Sequence, residues 1–401
     1  MTALESVRVL DLSNVLAGPF CGYQLARLGA EVIKIENPRG GDLARRLGGD
    51  PSMAARLQGL SFVAVNAAKQ SVALDLKSEL GKSVFLRLVG QSDVVIENFR
   101  PGVMDRLGLG YDVLALARPR LIYCAISGFG QTGPWSDRPA YDQIIQGLSG
   151  SMSVTGDARS APLRAGFPLA DAIGGITAAF AISAALVRQQ TKGIGERIDV
   201  SMLESTLSAM GWVVSNYLNA AIEPQPIGND NFTAAPSGTF RTGTEVLNIA
   251  ANAQKQFESL CSIIGRSELC TDSRFKDRES RKSHRAELTR LLEIELSRRS
   301  AEDWETLLNQ AGVPAGRVLS VPNVLNSSHI RERGFVQTID GNTSGGEPLR
   351  VTRPGFIFNA PFPPVTSPPA LGADTVRWMR FLGFSSSEIE RVTALIEQGE
   401  S

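Results

Sequence analysis

Short apolar runs alternate with helical periodicity along the first third of the chain. Val7-Arg8-Val9-Leu10-Asp11-Leu12 is β-rich, Gly18-Pro19 open a helical pattern over 18–28, and after Gly29 a second strand pattern covers Glu31–Glu36. The alternation recurs: strand over 71–76, helix over 78–90, strand over 93–98, helix with a glycine break over 103–117, strand over 121–127. Strands separated by helices of this length predict an α/β fold with a parallel sheet covered on both faces.

The next segment changes character. Residues 167–186 are mostly Ala, Ile, Leu and Gly, with Asp171 a lone carboxylate where a long helix begins. The longest apolar run, 174–187, is about fourteen residues against the roughly 20 that span a bilayer, so it reads as a buried core helix. A strand over 197–202 and a helix over 203–220 follow. The composition then shifts in Glu223-Pro224-Gln225-Pro226-Ile227-Gly228-Asn229-Asp230-Asn231, a linker that ends a large domain at 1–221. A hairpin near 240–250 and amphipathic helices over 254–264, 281–297 and 301–311 predict a smaller α+β domain at 222–320. The tail, 321–401, carries strand signals, the Pro-rich Asn359-Ala360-Pro361-Phe362-Pro363-Pro364 and a closing helix over 386–397. It is expected to return over the first domain as an extended belt.

Charge and cysteine content narrow the partners. With 41 basic and 41 acidic residues there is no global pull toward nucleic acid or an anionic membrane surface. The 4 cysteines, Cys21, Cys124, Cys261 and Cys270, have neither metal-ligand spacing nor the density of a disulfide framework. Glu5 and Arg8 interrupt the first apolar run, so no signal peptide is read there and a cytoplasmic location is expected.

Candidate chemistry gathers at the predicted strand ends. The loop Ser13-Asn14-Val15-Leu16-Ala17-Gly18-Pro19 precedes a helix N-terminus, which favours an anion, or it is a plain β-α turn. It lacks the G-x-G-x-x-G pattern of a dinucleotide site, although Glu36 falls near where a ribose-binding acid would end the second strand. Arg39, Lys77, Arg100 and Arg106, with Asn98 and Phe99, either converge on phosphates or form a solvated surface. The Gly-rich loop over 127–134, which includes Gly130 and Gln131, suits close backbone approach to a ligand or is a flexible connection. Asp171 is a helix cap, a nucleophile, or both; a capping role would lower its pKa and keep it ionised. The 2 histidines, His284 and His329, lie far along the chain in no metal-ligand or triad pattern and are expected at the surface. Hydrolase and metalloenzyme readings lose their support with them.

Taken together these residues resemble the class III CoA-transferase family, to which an α-methylacyl-CoA racemase is related by descent. The resemblance runs nearly end to end. It is carried by Leu10-Asp11-Leu12, Leu16-Ala17-Gly18-Pro19, 28–36, Gly41-Asp42, Asn66 with Lys69, Glu97-Asn98-Phe99-Arg100-Pro101-Gly102, 128–134, Tyr141-Asp142, Asp171 and Gly312-Val313-Pro314. It implies a Rossmann-like large domain built from both chain ends and an interlocked homodimer. It also implies a covalent mechanism in which Asp171 passes through a mixed anhydride and an aspartyl-CoA thioester, with acyl-CoA and a small carboxylic acid as substrates and no metal or tightly bound cofactor. By position Leu16, Arg39, Leu74, Lys77, Asn98, Phe99, Arg106 and Arg138 match the family's CoA-contacting residues.

Departures from the family pattern shape the substrate expectation. The formyl-CoA enzyme's assisting Gln is replaced by Leu16 and its tetraglycine lid has no equivalent, which disfavours oxalate. The racemase's second base, a His, is replaced by Tyr141, whose intrinsic pKa near 10 suits proton shuttling poorly. The wording of 16–20, 130–134 and 162–166 resembles the branch that exchanges CoA between succinate and C5 or C6 dicarboxylates such as itaconate or glutarate. Arg164 is then either a partner for the distal carboxylate or an ordinary loop arginine. Two readings outside the family are a nucleotide-dependent dehydrogenase, which lacks its glycine fingerprint here, and an inactive CoA-binding module, which would lack the carboxylate nucleophile.

Overall fold

The computed structural model describes residues 2–399. Six strands, β1 (Arg8–Asp11), β2 (Glu31–Glu36), β3 (Gln70–Ala73), β4 (Val94–Glu97), β5 (Ile122–Ser127) and β6 (Glu196–Ser201), pair in parallel in the order β3-β2-β1-β4-β5-β6. Successive side chains of a strand point to opposite faces, so the apolar runs of β1, β4 and β5 feed two cores at once. Val9, Val94, Ile96, Ile122 and Cys124 pack on one face with Ala178 and Ile182. Leu10, Val95 and Tyr123 pack on the other with Phe85, Trp378 and Met379. The order reverses between β1 and β4, where Leu10 lies opposite both Ile33 and Val95, and open α/β sheets bind ligands outside the strand ends at such a point.

The apolar segment forms the helix Leu169–Lys192. It is long and apolar enough to cross a membrane, yet within the fold it lies along helix Ala17–Arg27 and is only partly covered. The close approach depends on Gly174 and Gly175: a Cβ on Gly175 would sit 2.5 Å from the Ala17 carbonyl oxygen, and one on Gly174 would sit 2.9 Å from the Met202 side chain. The expectation of a fully buried helix is corrected on the opposite face, where Ile176, Phe180 and Val187 are exposed. The single helix expected over 203–220 is broken as well. Gly211, with φ of 50°, separates Met202–Ala209 from Trp212–Ala220.

The chain divides into two compact units. The second, Glu223–Ser328 with Met152–Leu163, has an antiparallel sheet of β7 (Ser237–Arg241), β8 (Val246–Ala250) and β9 (Ala315–Arg317). Its helices Gln254–Ile263, Arg285–Leu296 and Ala301–Gln310 close over Phe240, Leu247, Phe257, Leu292 and Trp304. The composition-based boundaries at 222 and 321 differ from this division in two respects. Residues 152–163 join the second unit, where the Gly228 N–H donates to the Gly156 carbonyl at 2.7 Å, and the return to the first unit begins at His329.

The returning tail is less of a belt than expected. It forms a hairpin of β10 (Val336–Asn342) and β11 (Pro348–Thr352), an extended stretch, and helices Thr375–Phe381 and Ser386–Gly399. It seals the β3 edge of the sheet, where Ser71 N–H donates to Asp374 at 2.9 Å and the Trp378 indole donates to Gln70 at 2.7 Å.

Candidate functional site

A cavity of about 260 Å³ opens at the reversal point of the sheet. The loop after β1 supplies Asn14 and Leu16, the loop after β4 supplies Asn98 and Phe99, and Ser127 and Gly128 close β5, with Arg138, Tyr141 and Asp171 completing the wall. The two central loops are fastened together: Asn14 N–H donates to the Asn98 side-chain Oδ1 and the Asn98 Nδ2 donates back to Asn14 O, both at 2.8 Å. Val15 is held at φ of 69°, a costly conformation for a β-branched residue, with its N–H donating to Asp42 at 2.9 Å.

Beneath that loop lies a row of buried charges. Lys34 Nζ meets Asp42 at 2.9 Å and donates to the Ser13 carbonyl at 2.7 Å, while Lys69 Nζ meets Asp11 at 2.8 Å and donates to the Pro19 carbonyl at 2.8 Å. Burial alone would push the Asp11 carboxyl up, but Lys69 and Lys34 outweigh it and hold it at about 2. Glu36 is clamped by two guanidinium nitrogens of buried Arg45, at 2.6 and 2.7 Å, and accepts from the Ser71 hydroxyl. That accounts for Glu36 without a ribose. Five positions of the sequence motifs, Asp11, Lys34, Glu36, Asp42 and Lys69, therefore shape the loop instead of lining the cavity.

Asp171 is the third residue of its helix, not its cap. The capping carboxylate comes from elsewhere: Asp142, at the start of helix Asp142–Leu148, accepts from Ala170 N–H at 2.8 Å and from Asp171 N–H at 3.4 Å. Among the described residues no donor reaches the Asp171 carboxylate itself. Burial, and secondarily the like charge of Asp142, push its pKa up to about 7, the opposite of the lowering expected for a capping aspartate.

Of the residues singled out by sequence, Leu16, Asn98, Phe99, Arg100, Arg138 and Tyr141 share the cavity with Asp171. Arg39, Lys77 and Arg106 lie outside it, exposed on the segments after β2, β3 and β4, with no ion pair among the described residues. The Leu74 side chain is buried in the core beside Ile35 and Val72 and its N–H donates to Glu36 O, which leaves its carbonyl for a ligand. Gly130 and Gln131 donate their N–H groups to Ser127 at 3.0 Å and Asp199 at 2.8 Å and stand outside the cavity wall. Arg164 spends a guanidinium nitrogen on Asp142 at 3.1 Å and stands outside the cavity wall.

Ser136 and Met202 line the cavity and were not foreseen. Met202 had a usable signal, as the last residue of a predicted parallel strand. A larger open groove, about 690 Å³, lies in the second unit, but its lining of Asn229, Thr239, Asn248 and similar groups includes only one ionisable side chain, Asp230. Among the described residues no cluster of His, Cys, Asp and Glu is suited to a metal ion, and both histidines are exposed.

Comparison with known proteins agrees with this geometry. Residues 4–375 match the model of CoA-transferase family III. The chain is 36% identical over 366 residues to a succinate–glutarate CoA-transferase of Agrobacterium fabrum, covering 88% of this chain and 92% of that one. It is 39% identical over 352 residues to an acetyl-CoA:oxalate CoA-transferase of Acetobacter aceti, covering 87% and 89%. The crystal structure of a CaiB/BaiF family protein from Brucella suis superposes with a TM-score of 0.83 at 33% identity, over 95% of this chain and 99% of that one. With a Rossmann-ordered sheet, an open reversal point and relatives of this breadth, the chain belongs to CoA-transferase family III and is a CoA-transferase.

Proposed function

We propose that the enzyme moves CoA from succinyl-CoA to a C5 or C6 dicarboxylate, such as glutarate or itaconate, with Asp171 as the covalent carrier. The observation that carries this reading is a carboxylate without a partner, at the wall of the cavity where the sheet reverses. An Asp171 oxygen attacks the thioester carbonyl of the donor, the C–S bond breaks, and CoA leaves as thiolate. The thiolate then attacks the Asp171 carbonyl of the mixed anhydride, releasing succinate and leaving an aspartyl-CoA thioester. Attack by the acceptor carboxylate gives a second anhydride and frees the thiolate again. Its return to the acceptor's acyl carbon yields the new acyl-CoA and regenerates the Asp171 carboxylate. Each step exchanges one acyl bond for another with no net proton or electron change.

Several features support the assignment of CoA. Unpaired Arg39, Lys77 and Arg106 stand along the carboxyl edge of the sheet, and Arg100 and Arg138 line the cavity, a distribution suited to several phosphates. The dicarboxylate follows the relative named for succinate and glutarate. Oxalate, disfavoured above on Leu16 and the absent lid, returns as an acceptor to test because a 39% identical relative is named for it. Four free thiols fit a reducing cytoplasm. A homodimer is supported by helix Trp212–Ala220, which buries none of its residues, and by the apolar stripe of Ile176, Phe180 and Val187.

Incubation with succinyl-CoA followed by hydroxylamine is expected to convert Asp171 to its hydroxamate, seen by peptide mass spectrometry. An unmodified Asp171, or full activity in Asp171→Ala, refutes the carrier role. Loss of stereochemistry in an α-methylacyl-CoA with no acceptor acid used would instead select the racemase.

A further inference from the structure

We propose that Asp142 and Arg164 are positioning residues for Asp171: the Asp142 carboxylate fixes the first turn of the helix that bears it, and Arg164 holds Asp142 in place. The inference rests on the reading of Asp171 as the reacting carboxylate, but its geometry is independent of any substrate.

Asp142 is buried and uses both oxygens. One accepts the N–H groups of Ala170 and Asp171, which have no partner of their own in the first turn of the helix; the other accepts from Gln146 at 2.7 Å and from Arg164 at 3.1 Å. Gln146 extends the clamp. Its amide donates to Phe167 O at 3.3 Å and its carbonyl accepts Ala165 N–H at 2.9 Å, so 164–171 is stitched to one helix. Arg164 is also the residue at which the chain re-enters the first unit. Its bond to Asp142 thus anchors the incoming strand of chain at its first residue.

The arrangement has an electrostatic consequence. Asp142 brings a negative charge to the start of the Asp171 helix, and Arg164 offsets part of it. The other ionisable groups around the cavity are Arg100, Arg138 and Tyr141, all exposed. Helix Ala17–Arg27 presents Ala17, Phe20 and Cys21 toward the Asp171 helix, and burial keeps the Cys21 thiol neutral. Met202–Ala209 presents Met202, with its one acid, Glu204, exposed. Changing the charge at Asp142 or Arg164 therefore moves the Asp171 titration in opposite senses.

The test follows Asp171 directly, by the pH dependence of its coupling to a labelled amine with a carbodiimide, read by peptide mass spectrometry without substrate. Asp142→Asn keeps a carbonyl for Ala170 N–H and removes the like charge, and its midpoint is expected to fall by about one pH unit. Arg164→Gln leaves Asp142 uncompensated, and its midpoint is expected to rise; Arg164→Lys is expected to restore it. Both changes are isosteric or part-exposed, and thermal melting checks the fold. Midpoints equal to the parent's, or moving in the same direction, overturn the proposal. So does an unmoved midpoint in Arg164→Gln with a raised KM for the dicarboxylate, which would return Arg164 to substrate binding. Because no acyl transfer is involved, the measurement stands even if hydroxylamine traps nothing; that second failure would count against the carrier role alone.

Discussion

Two aspartates in the first unit, Asp11 and Asp171, are both withdrawn from water and end at opposite extremes. Asp11 has Lys69 at 2.8 Å and Lys34 nearby and is held at about 2; Asp171 has no cation in contact, faces Asp142 and is pushed up to about 7. Burial acts on both in the same sense, so the partners decide the outcome. Asp11 is matched and therefore structural, fastening the loop that forms one wall. Asp171 is unmatched, which costs stability and leaves its oxygens free to form a bond.

The largest expected difference is in activity. On the proposal that Asp171 is the acyl carrier, Asp171→Asn is expected to lose at least about 10³-fold in transferase turnover, measured with succinyl-CoA and glutarate. Next comes stability: Asp11→Asn leaves Lys69 buried and unpaired, and urea denaturation is expected to show a loss of roughly 3–5 kcal/mol. An activity loss at Asp11 without a stability loss would break the comparison.

The pH dependence of stability sharpens it, because the two signs oppose. Asp11 has a depressed pKa, so its stabilisation is present above its unfolded value of 3.8 and is lost as pH falls toward about 2. Asp171 has a raised pKa, so ionising it in the fold costs stability as pH climbs from 3.8 to about 7, with the full cost above that. Asp171→Asn is accordingly expected to melt higher than the parent at pH 8, by up to about 4 kcal/mol, and to lose the advantage near pH 4. On the same proposal, the transferase rate of the parent is expected to rise with pH through about 7 as Asp171 ionises. The smallest effect is at the rim: Arg138→Ala, whose guanidinium stacks 4.6 Å from the Trp135 ring centre, is expected to raise KM for acyl-CoA several-fold with kcat nearly unchanged.

The sheet was legible because parallel strands buried on both faces read as unbroken apolar runs; five fall within a residue of their predicted places, and β3 ends three residues early. Asp171 was legible as a lone charge in an apolar segment. Its environment was not, because the groups that set it are distant in sequence: the cap arrives from 29 residues upstream, and Arg164 reaches 22 residues back. The same holds for Glu36, whose resemblance to a ribose acid dissolves once Arg45 is seen beside it. Leu74 and Gly130 illustrate a different limit of legibility: their positions near strand ends are right, but sequence does not reveal which N–H groups the fold has already used.

The glycine pair one turn beyond Asp171 bears on how the site can vary. With the Asp171 helix seated against the Ala17 main chain, Asp171 and the start of the helix after the β1 loop are held in a close approach that leaves no room for an added methyl group at Gly175. Relatives named for acids as different in length as glutarate and oxalate share the family. The room left for change in this cavity therefore lies with side chains of its wall that stand clear of that contact, such as Leu16 and Tyr141.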